Sequence, residues 1–245
     1  MQNAAKVAII TGGSRGIGAA ICERLAADGF AVVVNYASRA SEADHLASTI
    51  KKAGGLAITA QADVSDPHAV ERLFELAEEE FGGVDVLVNN AAIMKLATIA
   101  ETDDALFDSV VTTNLKGSFN ALREAARRMR SGGRIINMSA SVVGLYHPRY
   151  AVYAATKAAL DTMTHIMAKE MRGRNICVNA LSPGPTATGM FLDGKSPEAI
   201  EGFAKLTPLE RLGEPADIAA AVAFLAGRDG GWINGQVIRA NGGII

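Results

Sequence analysis

The chain has 245 residues, of which 49% are hydrophobic and 20% are charged, and its formal net charge is −2. This length and composition are typical of one globular domain with a substantial buried core. The near-neutral charge provides no electrostatic footprint for nucleic acid or for an anionic membrane surface. We therefore expect neither a nucleic-acid partner nor association with a membrane.

Signals of several other protein classes are missing from the sequence. The apolar stretch near the N-terminus, Val7–Ile10, is too short for the hydrophobic region of a signal peptide, and no apolar run approaches the ~20 residues that span a bilayer. Cys22 and Cys177 lie in apolar patterns that predict burial, and the four histidines are scattered without metal-ligand spacing. We expect a cytoplasmic protein that holds neither a disulfide framework nor a metal.

Short β-branched runs alternate along the chain with longer segments of helical periodicity. Most of the short runs are continuously apolar, as in parallel strands that are covered on both faces. The predicted strands are residues 7–11, 31–35, 57–60, 84–89, 134–138, 176–181 and 236–239. The predicted helices are residues 17–28, 41–53, 67–81, 105–130, 151–171 and 215–226. This order predicts βαβ units with right-handed crossovers. The fold class is therefore α/β: a single domain, residues 1–245, with a Rossmann-type doubly wound parallel sheet of about seven strands and helices on both faces.

One long segment, residues 182–207, has neither strand nor helix periodicity and is rich in glycine and proline. A loop of this length inside a compact domain is more often a functional lid than a structural accident. We predict a substrate lid here, with an ordered surface excursion as the alternative.

The first predicted strand runs into a glycine-rich turn with the spacing G-x-x-x-G-x-G. Glycines at these positions permit a tight turn, let backbone amides approach a pyrophosphate, and let the next helix pack close to the strand. Such turns also form for packing reasons alone, but on the first strand of a βαβ unit the turn predicts a dinucleotide site. The residues of the turn predicted to bind the dinucleotide are Gly12, Ser14, Arg15, Gly16, Ile17 and Gly18.

Two further strand ends support a dinucleotide site, because ligands of open parallel sheets gather beyond the carboxyl ends of the strands. Asp63 and Val64 follow the third strand, where a carboxylate can accept a hydrogen bond from an adenine amino group. Asn90, Ala91 and Ala92 follow the fourth strand, and their small side chains let a flat cofactor lie against the backbone. The alternative interpretations are a helix cap for Asp63 and a structural turn for Asn90.

The end of the second strand predicts NADP rather than NAD. Enzymes of this architecture that use NAD place a carboxylate there to accept from the ribose 2′-hydroxyl, but this chain has Tyr36. A 2′-phosphate can accept hydrogen bonds from Tyr36 and Ser38, and charge-assisted bonds from Arg39 and Arg15. The alternative is that both arginines are merely solvated.

Tyr153 and Lys157 are four residues apart in a predicted helix and share one face of it. Hydride transfer to a carbonyl needs a proton donor at the oxygen, and tyrosine, with a pKa of about 10, is a reluctant donor unless an ammonium stabilises the phenolate. Ser139 and Ser141 follow the strand at residues 134–138, and a serine hydroxyl can hold the same oxygen. A Tyr-x-x-x-Lys pair alone is usually a solvent-exposed pair without a catalytic role. Beside a dinucleotide site, the same pair predicts carbonyl reduction.

Together these motifs give the sequence a resemblance, from end to end, to the classical short-chain dehydrogenase/reductase family. The cofactor turn, the Tyr-x-x-x-Lys pair and Asn89–Ala92, which resembles the family's N-N-A-G with Ala92 in place of glycine, carry the likeness. Two further motifs match: a helix asparagine, Asn114, and a P-G-x-x-x-T-like segment with Pro183, Gly184, Thr186 and Thr188.

The resemblance implies a role for each of these residues. Tyr153 is the acid/base; Lys157 binds the nicotinamide ribose and tunes Tyr153; Asn114 maintains a proton relay. Ser141 orients the carbonyl, because Ser141-Val142-Val143-Gly144 fits the family's S-x-x-G, although Ser139 is also available. The segment that begins at Pro183 secures the nicotinamide carboxamide.

The implied activity is NADPH-dependent carbonyl reduction, or alcohol oxidation in reverse, on a ketone or a 3-oxoacyl thioester. Within the family the sequence most resembles 3-oxoacyl-(acyl carrier protein) reductases and broad-range ketone or sugar-alcohol members. Arg174 matches a basic position of the carrier-protein reductases, whereas Ser131 occupies a second one. The alternatives are a non-redox dehydratase or epimerase that uses bound NAD, and a catalytically silent cofactor-binding module. An apolar pocket is predicted from Met94, Tyr146, His147, Tyr150, Met190 and Phe191. A homotetramer is predicted from small residues on two long helices, Ala121, Ala125, Ala154, Ala158 and Ala159.

Overall fold

The computed structural model describes residues 5–245, and its centre is a seven-stranded parallel sheet. The strands are β1 (Val7–Ile10), β2 (Ala31–Tyr36), β3 (Leu56–Gln61), β4 (Val86–Asn89), β5 (Arg134–Met138), β6 (Cys177–Pro183) and β7 (Val237–Ala240). Their order in the sheet is β3-β2-β1-β4-β5-β6-β7. The predicted doubly wound α/β fold is confirmed, and every predicted strand is present with its ends displaced by at most two residues.

Helices cover both faces of this sheet. They are α1 (Gly16–Ala27), α2 (Ala40–Lys52), α3 (Pro67–Phe81), α4 (Asp104–Val110), α5 (Gly117–Arg128), α6 (Val142–Leu145), α7 (Ala151–Glu170), α8 (Gly189–Leu192), α9 (Pro197–Leu206) and α10 (Pro215–Ala226). Helices α1, α2 and α10 share one apolar core with the sheet, and α3, α5 and α7 share the other. Because the central strands are buried on both sides, they are apolar at nearly every position.

Helix α3 illustrates how local sequence fixes the elements. The Asp66 carboxylate accepts a hydrogen bond from the His68 N–H, Pro67 occupies the first turn, and Gly82 ends the helix in the left-handed conformation with φ of 81°. Asp66 satisfies a free N–H group at the start of the helix, Pro67 has no N–H that needs a partner there, and Gly82 adopts the left-handed conformation without steric strain. The prediction of residues 67–81 as a helix is therefore confirmed to the residue.

The prediction of one continuous helix at residues 105–130 is wrong. The structure has α4, then a π-helical segment, Val111–Lys116, and then α5. A single π-helical segment within a longer helix shifts the apolar pattern over one turn only, which is too short a change for sequence periodicity to reveal. Such segments frequently occur at functional sites, and this one carries Asn114.

The prediction of residues 182–207 as an irregular lid is wrong in its secondary structure. The segment includes the end of β6 and two helices, α8 and α9. Helix α9 begins at a Ser196 side chain that caps the Ala199 N–H, followed by Pro197. The glycines and prolines that argued against structure lie mostly before and between these helices.

Residues 5–245 contain neither a membrane-spanning helix nor a metal-binding cluster. No helix in this part of the chain is long and apolar enough to cross a bilayer. It also holds no group of three histidine, cysteine, aspartate or glutamate side chains that could bind a metal ion.

The strand order places a crevice above β1 and β4. The chain runs outward from β1 through β2 to β3, and then returns to place β4 on the other side of β1. At such a reversal the connections after the two strands diverge to opposite faces and leave a crevice at the carboxyl edge, where ligands bind in this architecture. The glycine turn follows β1 and the segment Asn90–Ala92 follows β4, so both face this crevice.

Candidate active site

An open cleft of about 470 Å³ runs along the carboxyl edge of the sheet. It brings together residues from seven separate chain segments that the sequence predicted as site residues. The predicted residues that line it are Gly12, Ser14, Arg15, Gly16, Ile17, Gly18, Tyr36, Ser38, Arg39, Asp63, Val64, Asn90, Ala91, Ala92, Ser141, Tyr153, Lys157, Pro183, Gly184, Thr186 and Thr188. Asn114 is the one predicted site residue that does not line the cleft.

The glycine turn leaves no room for side chains. Gly12 and Gly16 have φ of 62° and 54°, in the left-handed region. A Cβ atom at Gly18 would lie 2.2 Å from the Gly12 carbonyl oxygen, and one at Gly12 would lie 3.0 Å from the Ala91 Cα atom. The turn is thus a bare backbone cradle at the start of α1, which is the environment that a pyrophosphate needs. These residues fit a dinucleotide.

Three polar side chains hold this turn in place, and two of them, Asn35 and Thr11, were not predicted as site residues. The Asn35 Oδ1 atom accepts from the Gly12 N–H, while its Nδ2 atom donates to the Ala60 and Ala62 carbonyls. The Thr11 hydroxyl oxygen accepts from two backbone N–H groups of the neighbouring segment. Asn90 donates to the Thr11 and Gly12 carbonyls. Asn90 therefore has the structural role that was its alternative interpretation, and it also lines the cleft. The sequence signal for Asn35 was a polar residue in an apolar strand.

At the far end of the cleft, Tyr36, Ser38, Arg39 and Arg15 lie beyond the end of β2. No carboxylate occupies the strand end itself, as the sequence predicted. Arg39 is not free, because its Nη1 atom makes a 2.8 Å ion pair with Glu42, and both side chains are about half exposed. Such a pair contributes little in solvent, so a phosphate can compete with Glu42 for the guanidinium.

Tyr153 and Lys157 project from the first turns of α7 into the cleft, and both are buried. The Lys157 Nζ atom donates to the Met138 carbonyl at 2.6 Å and lies 5.7 Å from the centre of the Tyr153 ring. Burial raises the pKa of Tyr153 to about 12. Burial also lowers the pKa of Lys157 to about 8, which the Asp161 carboxylate opposes. Burial therefore shifts the ionisation of both groups toward their neutral forms, although a pKa of about 8 leaves Lys157 mostly protonated at neutral pH.

The two candidate serines have different surroundings, although both are buried and line the cleft. The Ser141 hydroxyl contacts the Ser182 carbonyl at 3.2 Å and the Asn241 amide at 3.1 Å. The Ser139 hydroxyl lies next to the Asp161 carboxyl, whose pKa is raised by burial, a rise that Ser139 opposes. The better-defined orientation of its hydroxyl favours Ser141.

The Asn114 side chain is occupied by the backbone of the segment after β4. Its Oδ1 atom accepts from the Ile93 N–H at 2.8 Å, and its Nδ2 atom donates to the Ile93 carbonyl at 2.9 Å. Asn114 is buried, and its side chain makes its hydrogen bonds to Ile93 and Thr156 and not to Lys157. Its side chain thus pins the floor of the cleft, and any part in a proton relay stays a prediction.

The segment after β6 closes the cleft opposite the glycine turn. The Gly184 N–H donates to the Ala240 carbonyl, and the Thr186 hydroxyl donates to the Gly184 carbonyl. Thr188 lies against Gly16: a Cβ atom added at Gly16 would be 3.4 Å from the methyl group of Thr188. The two segments predicted to bind the dinucleotide therefore meet each other across the cleft.

The remaining wall of the cleft is aromatic. Phe191 and Phe203 stack edge to face with ring centres 5.2 Å apart, and His147 packs against Phe203 at 5.9 Å and against Tyr150 at 6.1 Å. Phe203 lies on α9 and was missed, because residues 182–207 were predicted to have no helix. Tyr146 was predicted to line the pocket, which is wrong: its side chain is 85% exposed and lies outside the cleft.

Arg174, the basic position associated with a carrier protein, is engaged inside the chain. Its guanidinium donates to the Ala126 and Met129 carbonyls at the end of α5. Cations at a helix C-terminus stabilise it by binding the last carbonyls. This arginine is therefore a helix cap and not a free surface cation.

Comparisons with known proteins place this geometry in a family. A family profile described as enoyl-(acyl carrier protein) reductase matches residues 12–245. A short-chain type dehydrogenase/reductase of Picea abies is 46% identical, covering 97% of this chain and 92% of that protein. An NADPH-dependent aldehyde reductase-like protein, chloroplastic, of Arabidopsis thaliana is 44% identical, covering 99% and 95%. A versicolorin reductase of Emericella nidulans is 42% identical, covering 97% and 95%.

Solved structures of other proteins share this fold over nearly the whole chain. A short-chain dehydrogenase from Burkholderia cenocepacia in complex with NADP has a TM-score of 0.92 at 37% identity, covering 98% of this chain and 97% of that one. An angucycline C-6 ketoreductase with bound NADP has a TM-score of 0.93 at 37% identity, covering 99% and 96%. The chain belongs to the short-chain dehydrogenase/reductase family. It is accordingly a short-chain NAD(P)-dependent oxidoreductase, as the sequence predicted.

Proposed function

We propose that the protein is an NADPH-dependent carbonyl reductase that acts on ketones or aldehydes with an apolar, preferably aromatic, substituent, and that oxidises the alcohol in reverse. The observation that carries the proposal is the convergence of Tyr153, Lys157 and Ser141 on the cleft that holds the glycine turn. A non-redox enzyme or a silent binding module has no need of this complete set.

The chemistry follows from the positions of these side chains. NADPH, when bound, supplies a hydride to the carbonyl carbon. Tyr153 supplies the proton that the carbonyl oxygen needs, and its pKa of about 12 keeps the hydroxyl protonated at neutral pH. Ser141 donates a second hydrogen bond to the same oxygen and so orients the substrate.

Lys157 acts on Tyr153 from the next turn of the same helix. One of its N–H groups is fixed on the Met138 carbonyl, which leaves the others for the nicotinamide ribose that the family resemblance implies. With a pKa of about 8, the amine is mostly protonated at neutral pH and can stabilise the phenolate that remains after proton transfer.

The proposed cofactor is NADP. Its support is the absence of a carboxylate at the end of β2 and the presence of Tyr36, Ser38, Arg39 and Arg15 around that point. The Burkholderia cenocepacia relative and the angucycline ketoreductase were both solved with NADP, and the Arabidopsis thaliana relative is called NADPH-dependent.

The proposed substrate class rests on the aromatic wall. Phe191, Phe203, His147 and Tyr150 present ring edges and faces to the space beside Tyr153, where aromatic substituents pack favourably. Two relatives are named as reductases of versicolorin and of an angucycline. A thioester on a carrier protein is less well supported, because Arg174 is occupied as a helix cap.

The cofactor proposal is tested by a pair of substitutions at the end of β2. We expect the native enzyme to use NADPH at least about a hundredfold more efficiently than NADH, since two charge-assisted hydrogen bonds contribute about 1.5–3 kcal/mol each. The double variant Tyr36→Asp, Arg39→Ala should reverse much of that preference. The measurement is kcat/KM for each cofactor with one aryl ketone. Equal efficiency with both cofactors in the native enzyme would contradict the proposal.

The compartment and the assembly also stay proposals. We keep the cytoplasm as the expected location, although the Arabidopsis thaliana relative is named as chloroplastic. We keep a homotetramer as the expected assembly.

A further inference from the structure

The C-terminal end of β7 reaches the back of the proposed catalytic serine. The Asn241 Nδ2 atom lies 3.1 Å from the Ser141 hydroxyl oxygen, between residues that are 100 positions apart in the chain. Ser141 is only 2% exposed, whereas Asn241 is partly exposed. No motif in the sequence predicted Asn241 as part of the site.

The orientation of the Asn241 amide is determined by its other contacts. Its Oδ1 atom accepts from the Gly243 N–H at 3.0 Å, and the Nδ2 atom also donates to the Ile245 carbonyl at 3.5 Å. An exchange of oxygen and nitrogen would place an N–H against an N–H and a carbonyl against a carbonyl. The amide therefore faces Ser141 with its NH₂ group, which can only donate.

Because Asn241 donates, it leaves the single Ser141 proton available to other groups. The protein group that competes most directly for this proton is the Ser182 carbonyl oxygen at 3.2 Å, which can only accept; the Ser182 hydroxyl, at 3.4 Å, can donate or accept. A bound carbonyl oxygen competes for the same proton. The Asn241 N–H occupies a lone pair of the Ser141 oxygen, and a hydroxyl that accepts a hydrogen bond becomes a better donor.

The position of Asn241 is rigid. A Cβ atom added at Gly184 would lie 2.8 Å from the Asn241 Cα atom, so the two backbones are in direct contact. Pro183 and Ala240 are paired in the sheet immediately before them, and the Ser141 N–H donates to the Pro183 carbonyl. The serine, the segment after β6 and Asn241 thus form one connected unit.

We propose that Asn241 is a positioning residue for the reduction: its amide holds the Ser141 hydroxyl as a hydrogen-bond donor toward the substrate oxygen. The inference rests on the proposed role of Ser141. It predicts that the ability of the side chain at position 241 to donate a hydrogen bond, rather than its size, determines how well Ser141 donates to the substrate oxygen.

The substitution Asn241→Asp tests this ability directly. Aspartate has nearly the same shape, and one of its oxygens can still accept from the Gly243 N–H. The other oxygen now accepts a hydrogen bond where asparagine donated one, so it draws the Ser141 proton away from the substrate. We expect kcat/KM for an aryl ketone to fall by about 10- to 100-fold, less than the loss of about 10²- to 10³-fold on removal of an oxyanion donor, because the Ser141 hydroxyl is still present. The Kd for NADPH should change less than about twofold.

Two comparisons separate this effect from structural damage. The same substitution in a Ser141→Ala background should change kcat/KM by less than about twofold, because the group through which Asn241 acts is gone. Asn234→Asp adds the same charge elsewhere at the sheet edge and retains the oxygen that accepts from the Val178 N–H, and it should leave kcat/KM unchanged. If Asn241→Asp does not fold, Asn241→Ala in the native protein and in Ser141→Ala provides the same double-mutant cycle.

The outcomes distinguish this inference from the proposal on which it rests. Native activity in Asn241→Asp together with impaired activity in Ser141→Ala would overturn the inference alone. Equal losses from the Asn241 substitution with and without Ser141 would also overturn it. Native activity in Ser141→Ala would instead overturn the proposed role of the serine, and the positioning role with it.

Discussion

Tyr153 and Lys157 lie in the interior, with 9% and 3% of their surfaces exposed. The Tyr-x-x-x-Lys spacing led us to expect an ammonium that lowers the pKa of the tyrosine. In the structure the pKa of Tyr153 is instead raised to about 12, because burial disfavours the phenolate and the nearby Tyr150 adds to the rise. Sequence spacing predicted which side chains meet, but the depth of their burial depends on packing from distant segments.

Burial of Lys157 makes a prediction about stability and pH. The pKa of Lys157 is about 8 in the folded protein, below its ordinary value of 10.5, so the folded state binds fewer protons than the unfolded state between these values. Folding thus carries a penalty that is complete below pH 8 and disappears above about pH 10.5. We expect Lys157→Met to raise the free energy of unfolding at pH 7 by up to about 3 kcal/mol, less about 1 kcal/mol for the lost Met138 hydrogen bond.

Urea unfolding at several pH values between 7 and 10.5 measures this effect. The advantage of Lys157→Met over the native protein should shrink steadily as the pH rises. Lys169→Met, on the exposed side of the same helix, is the matched control. A difference between Lys157→Met and the native protein that does not vary with pH would contradict the assignment of the penalty to the buried ammonium.

At the scale of elements, the parts that the sequence predicted well are those that repeat one simple pattern. Five of the six predicted helices have ends within one residue of those observed, and all seven strands are present. The missed features are the π-helical segment Val111–Lys116 and the short helices α6, α8 and α9. A π-helical turn and a helix of four residues leave too short a pattern to detect, whereas the ten-residue α9 was missed because of the glycines and prolines around it. These missed elements carry Asn114 and two of the four aromatic residues of the wall, Phe191 and Phe203, so the substrate side of the site was the least predictable.

Helix α9 contributes Phe203 to the cleft, so removal of the Phe203 ring should weaken substrate binding. Phe203→Ala removes the ring that packs against both Phe191 and His147, and burial of such a side chain contributes about 1.5–3 kcal/mol. We expect KM for an aryl ketone to rise by roughly tenfold or more, with little change in KM for NADPH. Leu206→Ala, at an exposed position of the same helix, is the control. Equal effects of both substitutions, or a rise confined to the NADPH KM, would contradict the role of α9 as a substrate wall.

At the scale of the whole molecule, the basis for the predicted tetramer needs correction. Ala121 and Ala125 are fully buried in the core of the single chain, so they cannot contact another subunit. Ala154, Ala158 and Ala159 are partly exposed. Larger exposed apolar side chains lie on the same predicted helices and near the C-terminus: Phe107, Phe119, Ile166, Phe224 and Trp232. Large exposed apolar side chains are candidates for subunit contacts, and the proposal of a homotetramer rests on these and on the three partly exposed alanines.

Sedimentation at micromolar concentration tests the assembly. We expect a species of four chains of 25.5 kDa each, and we expect Phe119→Glu to shift the distribution toward smaller species, since a buried unpaired charge is costly at an interface. A single species of one chain in the native protein would contradict the proposal.

The central claim is that Tyr153 donates the proton in a hydride transfer from NADPH to a carbonyl. The direct measurement is ketone-dependent oxidation of NADPH, with the alcohol product quantified, for the native enzyme and Tyr153→Phe. We predict one alcohol formed for each NADPH oxidised by the native enzyme. We predict that Tyr153→Phe lowers kcat by at least about 10²-fold while it binds NADPH with native affinity. Turnover near the native rate in Tyr153→Phe, or no ketone-dependent oxidation of NADPH by the native enzyme, would contradict the account.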